Sequence, residues 1–171
     1  MTLLNSKICI LGDFAVGKTS TVEQFVNNHF SDKYLSTIGV KVDTKEIQLT
    51  DDVQLKLIIW DIAGTDRFGP VEFAYLRGAS GYIFVADGTR PNTVASAIDL
   101  KNQAEDRYNE LPYVFLLNKS DLTHSWDISN EQLEELKQSL ANIFVTSAKS
   151  GDKVDEAISM LGTLIAEREN L

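Results

Sequence analysis

Apolar positions along the chain follow two alternating patterns. Short runs rich in β-branched and aromatic residues, apolar on both faces, occupy residues 7–11 (K-I-C-I-L), 81–87 (G-Y-I-F-V-A-D) and 113–118 (Y-V-F-L-L-N), with a shorter one at 143–146. Such runs predict central strands of a parallel sheet, buried on both sides. Residues 41–49 and 53–61 are two more strands. They flank T-D-D closely enough to predict an antiparallel hairpin.

Between the strands the period lengthens, predicting helices over 19–28, 91–108, 129–140 and 154–168. Pro91 stands near a first turn, where its missing N–H costs nothing, and S-N-E-Q at 129–132 is a capping box. Val154, Ala157, Ile158, Leu161, Leu164 and Ile165 share one face of the last helix at three- and four-residue spacing. All these stripes read as core packing. The alternation predicts a doubly wound α/β sheet of six mostly parallel strands with one antiparallel edge strand. About five helices flank it, and residues 1–171 form one domain. Ligands of such sheets bind beyond the C-terminal ends of the strands.

Composition narrows the function. The chain is 43% hydrophobic and 24% charged, ordinary for a globular domain. Its net charge of −9 argues against a generic electrostatic nucleic-acid binder. Cys9 is the only cysteine, so no internal disulfide forms, and its neighbours make it a core residue. The start M-T-L-L-N-S-K has no signal-peptide pattern, and no apolar run approaches the ~20 residues of a membrane span. Thr2 in place of glycine predicts no N-myristoylation, and R-E-N-L without a nearby cysteine predicts no prenylation of this chain. The expectation is a cytoplasmic protein without a lipid anchor. Peripheral membrane association would need a partner or a tail missing from this sequence.

Candidate chemistry sits at strand ends. The first strand runs into G12-D-F-A-V-G17-K18-T19, matching G-x-x-x-x-G-K-[ST]. Gly12 and Gly17 permit a tight turn that aims backbone N–H groups at phosphate oxygens, and the following helix presents its positive N-terminus to the same anion. Lys18 would reach the β- and γ-phosphates and Thr19 would ligate Mg²⁺. Asp61 ends L-K-L-I-I-W-D, so its carboxylate emerges at the same edge, able to hold the Mg²⁺ shell. Gly64, the last residue of D-I-A-G, can bring its N–H near a γ-phosphate. Taken alone, D-x-x-G reads equally well as a surface turn.

N118-K-S-D121 follows the strand Y-V-F-L-L. A guanine offers N1–H and N2–H side by side, and the Asp121 carboxylate can accept both; adenine would meet it with a lone pair. Sites of this kind discriminate by roughly 10⁴–10⁵. Asn118 would tie loops together and the Lys119 stem would cover the base. In T146-S-A-K149 the Ala148 N–H is positioned to donate to guanine O6, with Lys149 packing on the ring. A P-loop kinase of small molecules would share only the first motif.

These motifs together resemble the Ras superfamily of small GTPases, most closely its Rab branch, over nearly the whole chain. The strings I-W-D-x-A-G-x-D-R-F and Y-L-R-G-A at 75–79 are Rab-like. The resemblance implies the P-loop NTPase small-GTPase fold and a GTP/GDP- and Mg²⁺-dependent switch. Hydrolysis would be slow and signalling would run through regions near 30–42 and 62–77, in the setting of vesicle trafficking. It implies that Phe30 stacks on the base and Tyr34 closes over the phosphates. Thr37 would bind Mg²⁺ by its side chain and the γ-phosphate by its N–H. It further implies that Asp13, Phe14, Ala15, Val16, Ser20 and Ser147 border the nucleotide, and that Lys18, Thr37, Gly64 and Thr65 are the catalytic set. Effector proteins, an exchange factor and a GTPase-activating protein are the implied partners. Effectors would read an exposed Val42, Trp60 and Tyr75 surface, with a core position beside the buried strand as the alternative for Trp60.

Two departures matter. Thr65 stands where the family usually has glutamine to orient the attacking water, and its hydroxyl is too short for that task. Phe14 stands where Rab proteins usually carry a small polar residue. A ring turned inward there would obstruct an arginine finger, worth about 10³–10⁵ in rate; the expectation is that it turns outward. Both departures keep an alternative open, a hydrolysis-impaired binding module that stays GTP-loaded and acts as an interaction scaffold.

Overall fold

The computed structural model describes residues 1–33, 36–64 and 68–171. Six strands form one sheet: β1 (Thr2–Leu11), β2 (Val40–Gln48), β3 (Val53–Ile62), β4 (Gly81–Asp87), β5 (Tyr113–Asn118) and β6 (Ile143–Val145). Five helices connect them: α1 (Lys18–Asn27), α2 (Pro70–Ala74), α3 (Asn92–Tyr108), α4 (Asn130–Ser139) and α5 (Val154–Arg168). The strand order is β2-β3-β1-β4-β5-β6, with β2 antiparallel to β3 and every other pair parallel.

Side-chain alternation divides the core into two layers. Ile8 and Ile10 of β1, Leu57 and Ile59 of β3, and Ile83 and Val85 of β4 meet Val22 and Phe25 of α1 and Ile158 and Leu161 of α5. Cys9 and Leu11, Tyr82 and Phe84, and Phe115 and Leu117 point the other way, onto Phe73 of α2 and Ala97 and Leu100 of α3. Apolar residues on both faces of one strand are thus explained by helices on both sides of the sheet. Ser129 caps α4 as its sequence predicts: its Oγ accepts from the Gln132 N–H at 3.1 Å, and Gln132 Oε1 accepts from the Ser129 N–H at 2.8 Å.

Two differences from the sequence reading have simple causes. β1 starts at Thr2, well before residue 7, because parallel pairing with β3 continues out to Thr2 opposite Val53. Ladder hydrogen bonds need only backbone, so the polar start of the strand is no obstacle. The short helix α2 has no periodic signal. It is held by buried Phe73, by proline at its first position and by Gly69 N–H donating to Glu72 Oε2 at 2.9 Å. Among the described residues no helix is long and apolar enough to cross a membrane.

β1 is followed by α1, which returns to β2 on one face of the sheet, whereas the connections leaving β3, β4 and β5 run the opposite way across the other face. That reversal opens a crevice at the strand C-termini.

Candidate functional site

A cavity of about 500 Å³ fills that crevice. Its wall is built from the β1–α1 loop (Phe14, Ala15, Gly17), the start of α1 (Lys18, Thr19, Ser20, Glu23), the segment 30–33 and Thr37, Gly64 after β3, the β5–α4 loop, and Ala148 and Lys149 after β6. Four sequence motifs spread from Gly12 to Lys149 therefore face one space.

The β1–α1 loop takes its shape from two close approaches. Gly17 has φ +102°, and a Cβ there would stand 2.2 Å from Asn118 Nδ2. Gly64 packs against the loop from the other side: a Cβ on it would lie 2.6 Å from the Phe14 nitrogen and 2.8 Å from Asp13 C. Only a residue without a side chain lets these backbones meet. Lys18 is buried, its Nζ donating to the carbonyls of Gly12 (3.0 Å) and Asp13 (2.8 Å). Burial pulls its ammonium pKa down to about 8, while Asp61 and Asp13 draw it upward. A desolvated cation on the cavity wall is a site that an anion would stabilise.

Beside it, Thr19 Oγ1 donates to Asp61 Oδ2 at 2.5 Å and lies 2.6 Å from Thr37 Oγ1. Asp61 is buried, and its Oδ1 has no hydrogen-bond partner among the described residues. Burial pushes this carboxyl up, opposed by the Thr19 hydrogen bond and by Lys18. An all-oxygen set with one carboxylate and an orphaned carboxylate oxygen fits a hard divalent cation such as Mg²⁺. Thr19, Thr37 and Asp61 are the residues that would hold it.

At the other end, Asn118 joins three loops. Its Nδ2 donates to the Val16 carbonyl at 3.0 Å, and its Oδ1 accepts from the Ala148 N–H at 3.1 Å and from Thr146 Oγ1 at 3.3 Å. The Ala148 amide expected to face a base thus binds Asn118 in this arrangement. Lys119 Nζ donates to the Ala15 carbonyl at 2.8 Å. Asp121 is exposed on the cavity wall, and its Oδ1 accepts from Ser147 Oγ at 2.7 Å. Ser147 is buried and positions that carboxylate from behind.

Most of the sequence-predicted residues line the cavity directly, Phe30 included. Asp13, Val16, Asp61 and Ser147 stand behind the wall and act through the contacts above. Tyr34 and Thr65 lie outside the described residues. Phe14 is 48% exposed at the rim. Sequence reasoning missed Glu23, Ser31, Asp32, Lys33 and Leu122 on the wall. Glu23 was legible, since it follows Thr19 by one helical turn. It also missed Asp87, although that residue ends an apolar strand run just as Asp61 does.

Away from the cavity, Val42 and Trp60 are register partners across β2 and β3, and the Trp60 and Tyr75 rings lie 6.3 Å apart. Only Val42 is exposed; Trp60 and Tyr75 are half-buried, with Lys7 Nζ 3.8 Å from the Trp60 ring centre. The expected exposed cluster is therefore partly absorbed into the packing of α2 on the sheet.

Residues 7–167 match the family model described as the Ras family. The chain is 37% identical over 170 residues to Ras-related protein Rab7 of Drosophila melanogaster, covering 95% of this chain and 81% of that protein. It is 33% identical over 164 residues to Ras-related protein Rab-7L1 of Rattus norvegicus, covering 91% and 79%. With Ras-related protein Rab-13 of Rattus norvegicus the identity is 34% over 157 residues, covering 91% and 77%.

Proposed function

The chain belongs to the Ras family of GTP-binding switch GTPases, in its Rab branch, and from that premise we propose a guanine-nucleotide switch with slow intrinsic hydrolysis, signalling through residues near 30–42 and 62–77. The observation that carries this reading is convergence. Thr37 and Gly64, from two separate connecting segments, face the same end of the cavity as Lys18 and Thr19. A γ-phosphate there would bind both segments in one nucleotide state only, which is the differential affinity a switch requires.

In this reading Lys18 and the amides of residues 13–18 hold the β- and γ-phosphates and stabilise charge as the terminal phosphoryl leaves. Mg²⁺, when bound, would neutralise phosphate charge. Asp121 accepts from the guanine edge, aimed by Ser147. Lys119 and Phe30 cover the base, Lys149 packs beside it, and Tyr34 closes over the phosphates. Thr65 replaces the water-orienting glutamine, so hydrolysis is slow. Residues 1–171 act as one G domain. Effectors, an exchange factor and a GTPase-activating protein are partners of the family; for this chain we place effector contact at Val42 and the adjoining edges of Trp60 and Tyr75.

Chromatography of the nucleotide that co-purifies with the protein tests base identity directly. GDP or GTP is expected; an adenine nucleotide would overturn the reading. Single-turnover hydrolysis tests the rest, with Thr65→Gln expected to accelerate it. A second reading, a persistently GTP-loaded scaffold, draws on Thr65 and on Phe14, which lies half-exposed at the rim of the cavity. Full-length GTP occupancy with no acceleration in Thr65→Gln would favour that reading.

A further inference from the structure

Every carbonyl from Gly12 to Gly17 is held by a donor outside its own peptide. Lys18 Nζ takes those of Gly12 and Asp13, Lys119 Nζ that of Ala15, and Asn118 Nδ2 that of Val16; Thr21 donates to Gly17 through its N–H (2.9 Å) and its hydroxyl (2.7 Å). The Phe14 carbonyl is taken by a residue no motif includes: Arg90 Nη2 donates to it at 2.8 Å. In a trans peptide the carbonyl of one residue and the N–H of the next point in opposite directions. Carbonyls held outward therefore aim the following amides into the cavity, and the Phe14 carbonyl governs the Ala15 amide.

Arg90 does not reach Phe14 unaided. Its Nε donates to Asp87 Oδ2 at 3.0 Å, and Lys119 Nζ lies 3.0 Å from the same oxygen. Asp87 Oδ1 accepts from the Thr89 N–H (2.8 Å) and hydroxyl (2.7 Å). The Asp87 N–H in turn donates to Thr93 Oγ1 at 2.8 Å. One carboxylate, 1% exposed and with both oxygens engaged, thus orients two cations that grip successive loop carbonyls.

We propose that Asp87 and Arg90 are positioning residues for nucleotide retention: the buried Asp87 aims Arg90 at the Phe14 carbonyl and Lys119 at the Ala15 carbonyl, locking the phosphate loop with its amides inward. This rests on the guanine-nucleotide reading of the cavity and deepens it. Arg90 is not among the residues that line the cavity. Its effect reaches the phosphates through the backbone alone, so it must depend on the β-phosphate.

The test follows release of fluorescent GDP from loaded protein, with GDP and GMP affinities measured by competition, in wild type, Arg90→Ala and Arg90→Lys. Arg90 is partly exposed, so these variants retain the core. Loss of a charged hydrogen bond predicts about tenfold faster GDP release in Arg90→Ala. GMP, which lacks the β-phosphate, loses little affinity. A lysine cannot hold Asp87 and the Phe14 carbonyl in one planar fork, so Arg90→Lys recovers only part of the loss. Unchanged GDP release in Arg90→Ala, or equal losses for GDP and GMP, would overturn the proposal while leaving the nucleotide site intact. Wild-type protein that binds neither GDP nor GTP would instead overturn the site, and the clamp with it.

Discussion

Replacing Asn118 with alanine removes a side chain that ties the end of β5 to the phosphate loop and to the segment after β6. The side chain is 1% exposed and makes its contacts inside the protein, at 3.0, 3.1 and 3.3 Å. Truncation leaves the Val16 carbonyl and the Ala148 N–H buried without these partners; the Thr146 hydroxyl can rotate. Each orphaned buried group costs about 1–3 kcal/mol, so with two of them unfolding free energy should fall by roughly 2–6 kcal/mol, a large share of the ~5–15 kcal/mol of a typical domain. Nucleotide affinity should fall as well, because Val16 and Ala148 belong to loops that the ligand needs already in place. Holding about 3 kcal/mol of this loss in the binding step gives at least a hundredfold weaker GDP binding. Urea unfolding of nucleotide-free protein and calorimetric titration with GDP measure the two terms separately. A stability loss below about 1 kcal/mol would refute the accounting of buried partners. A full stability loss with unchanged GDP affinity would refute the claim that loop fixation serves the nucleotide.

Other perturbations probe other parts of the site. Gly64→Ala would place a Cβ 2.6 Å from the Phe14 nitrogen and 2.8 Å from Asp13 C, both backbone atoms that cannot turn aside. An overpacking cost of about 1–3 kcal/mol should fall on the GTP state, where Gly64 must approach, so the GTP-to-GDP affinity ratio drops; an unchanged ratio contradicts the role of Gly64. Asp61→Asn removes a carboxylate that burial already disfavours. Its ligand-free urea midpoint should hold or rise while Mg²⁺ affinity falls about 10–100-fold, read as a loss of the acceleration that EDTA gives to GDP release. Burial pushes the Asp87 carboxyl up, but Thr89, Lys119 and Arg90 outweigh it and hold the group below its ordinary value. As pH falls the unfolded chain therefore takes up this proton first, and the stabilisation present above about pH 4 is lost below it. The stability gap between wild type and Asp87→Asn should narrow as pH drops through that range; a gap that widens would reverse the assignment.

Much of this was legible in the chain alone. Strands apolar on both faces imply helices on both sides, and that arrangement puts Gly12–Thr19, Asp61, Asn118 and Thr146 at one edge whatever the details of packing. Backbone requirements write themselves plainly, too, since Gly17 and Gly64 sit where another backbone or side chain comes within contact distance. The capping box at Ser129 needed only four consecutive residues. These are local signals, carried by residues adjacent along the chain or repeated at the period of one element.

What tertiary structure alone decided depends on distances between residues far apart in sequence. The extent of β1 was set by its partner β3, and α2 by the pocket that receives Phe73. Trp60 and Tyr75 read as an exposed pair until the packing of α2 covered much of both. Above all, nothing in D-G-T-R-P announces that Arg90 reaches back 76 residues to a carbonyl of the phosphate loop. A hydrogen bond to a backbone oxygen leaves no mark on the identity of the residue that accepts it. Only the folded chain shows which carbonyl lies within reach.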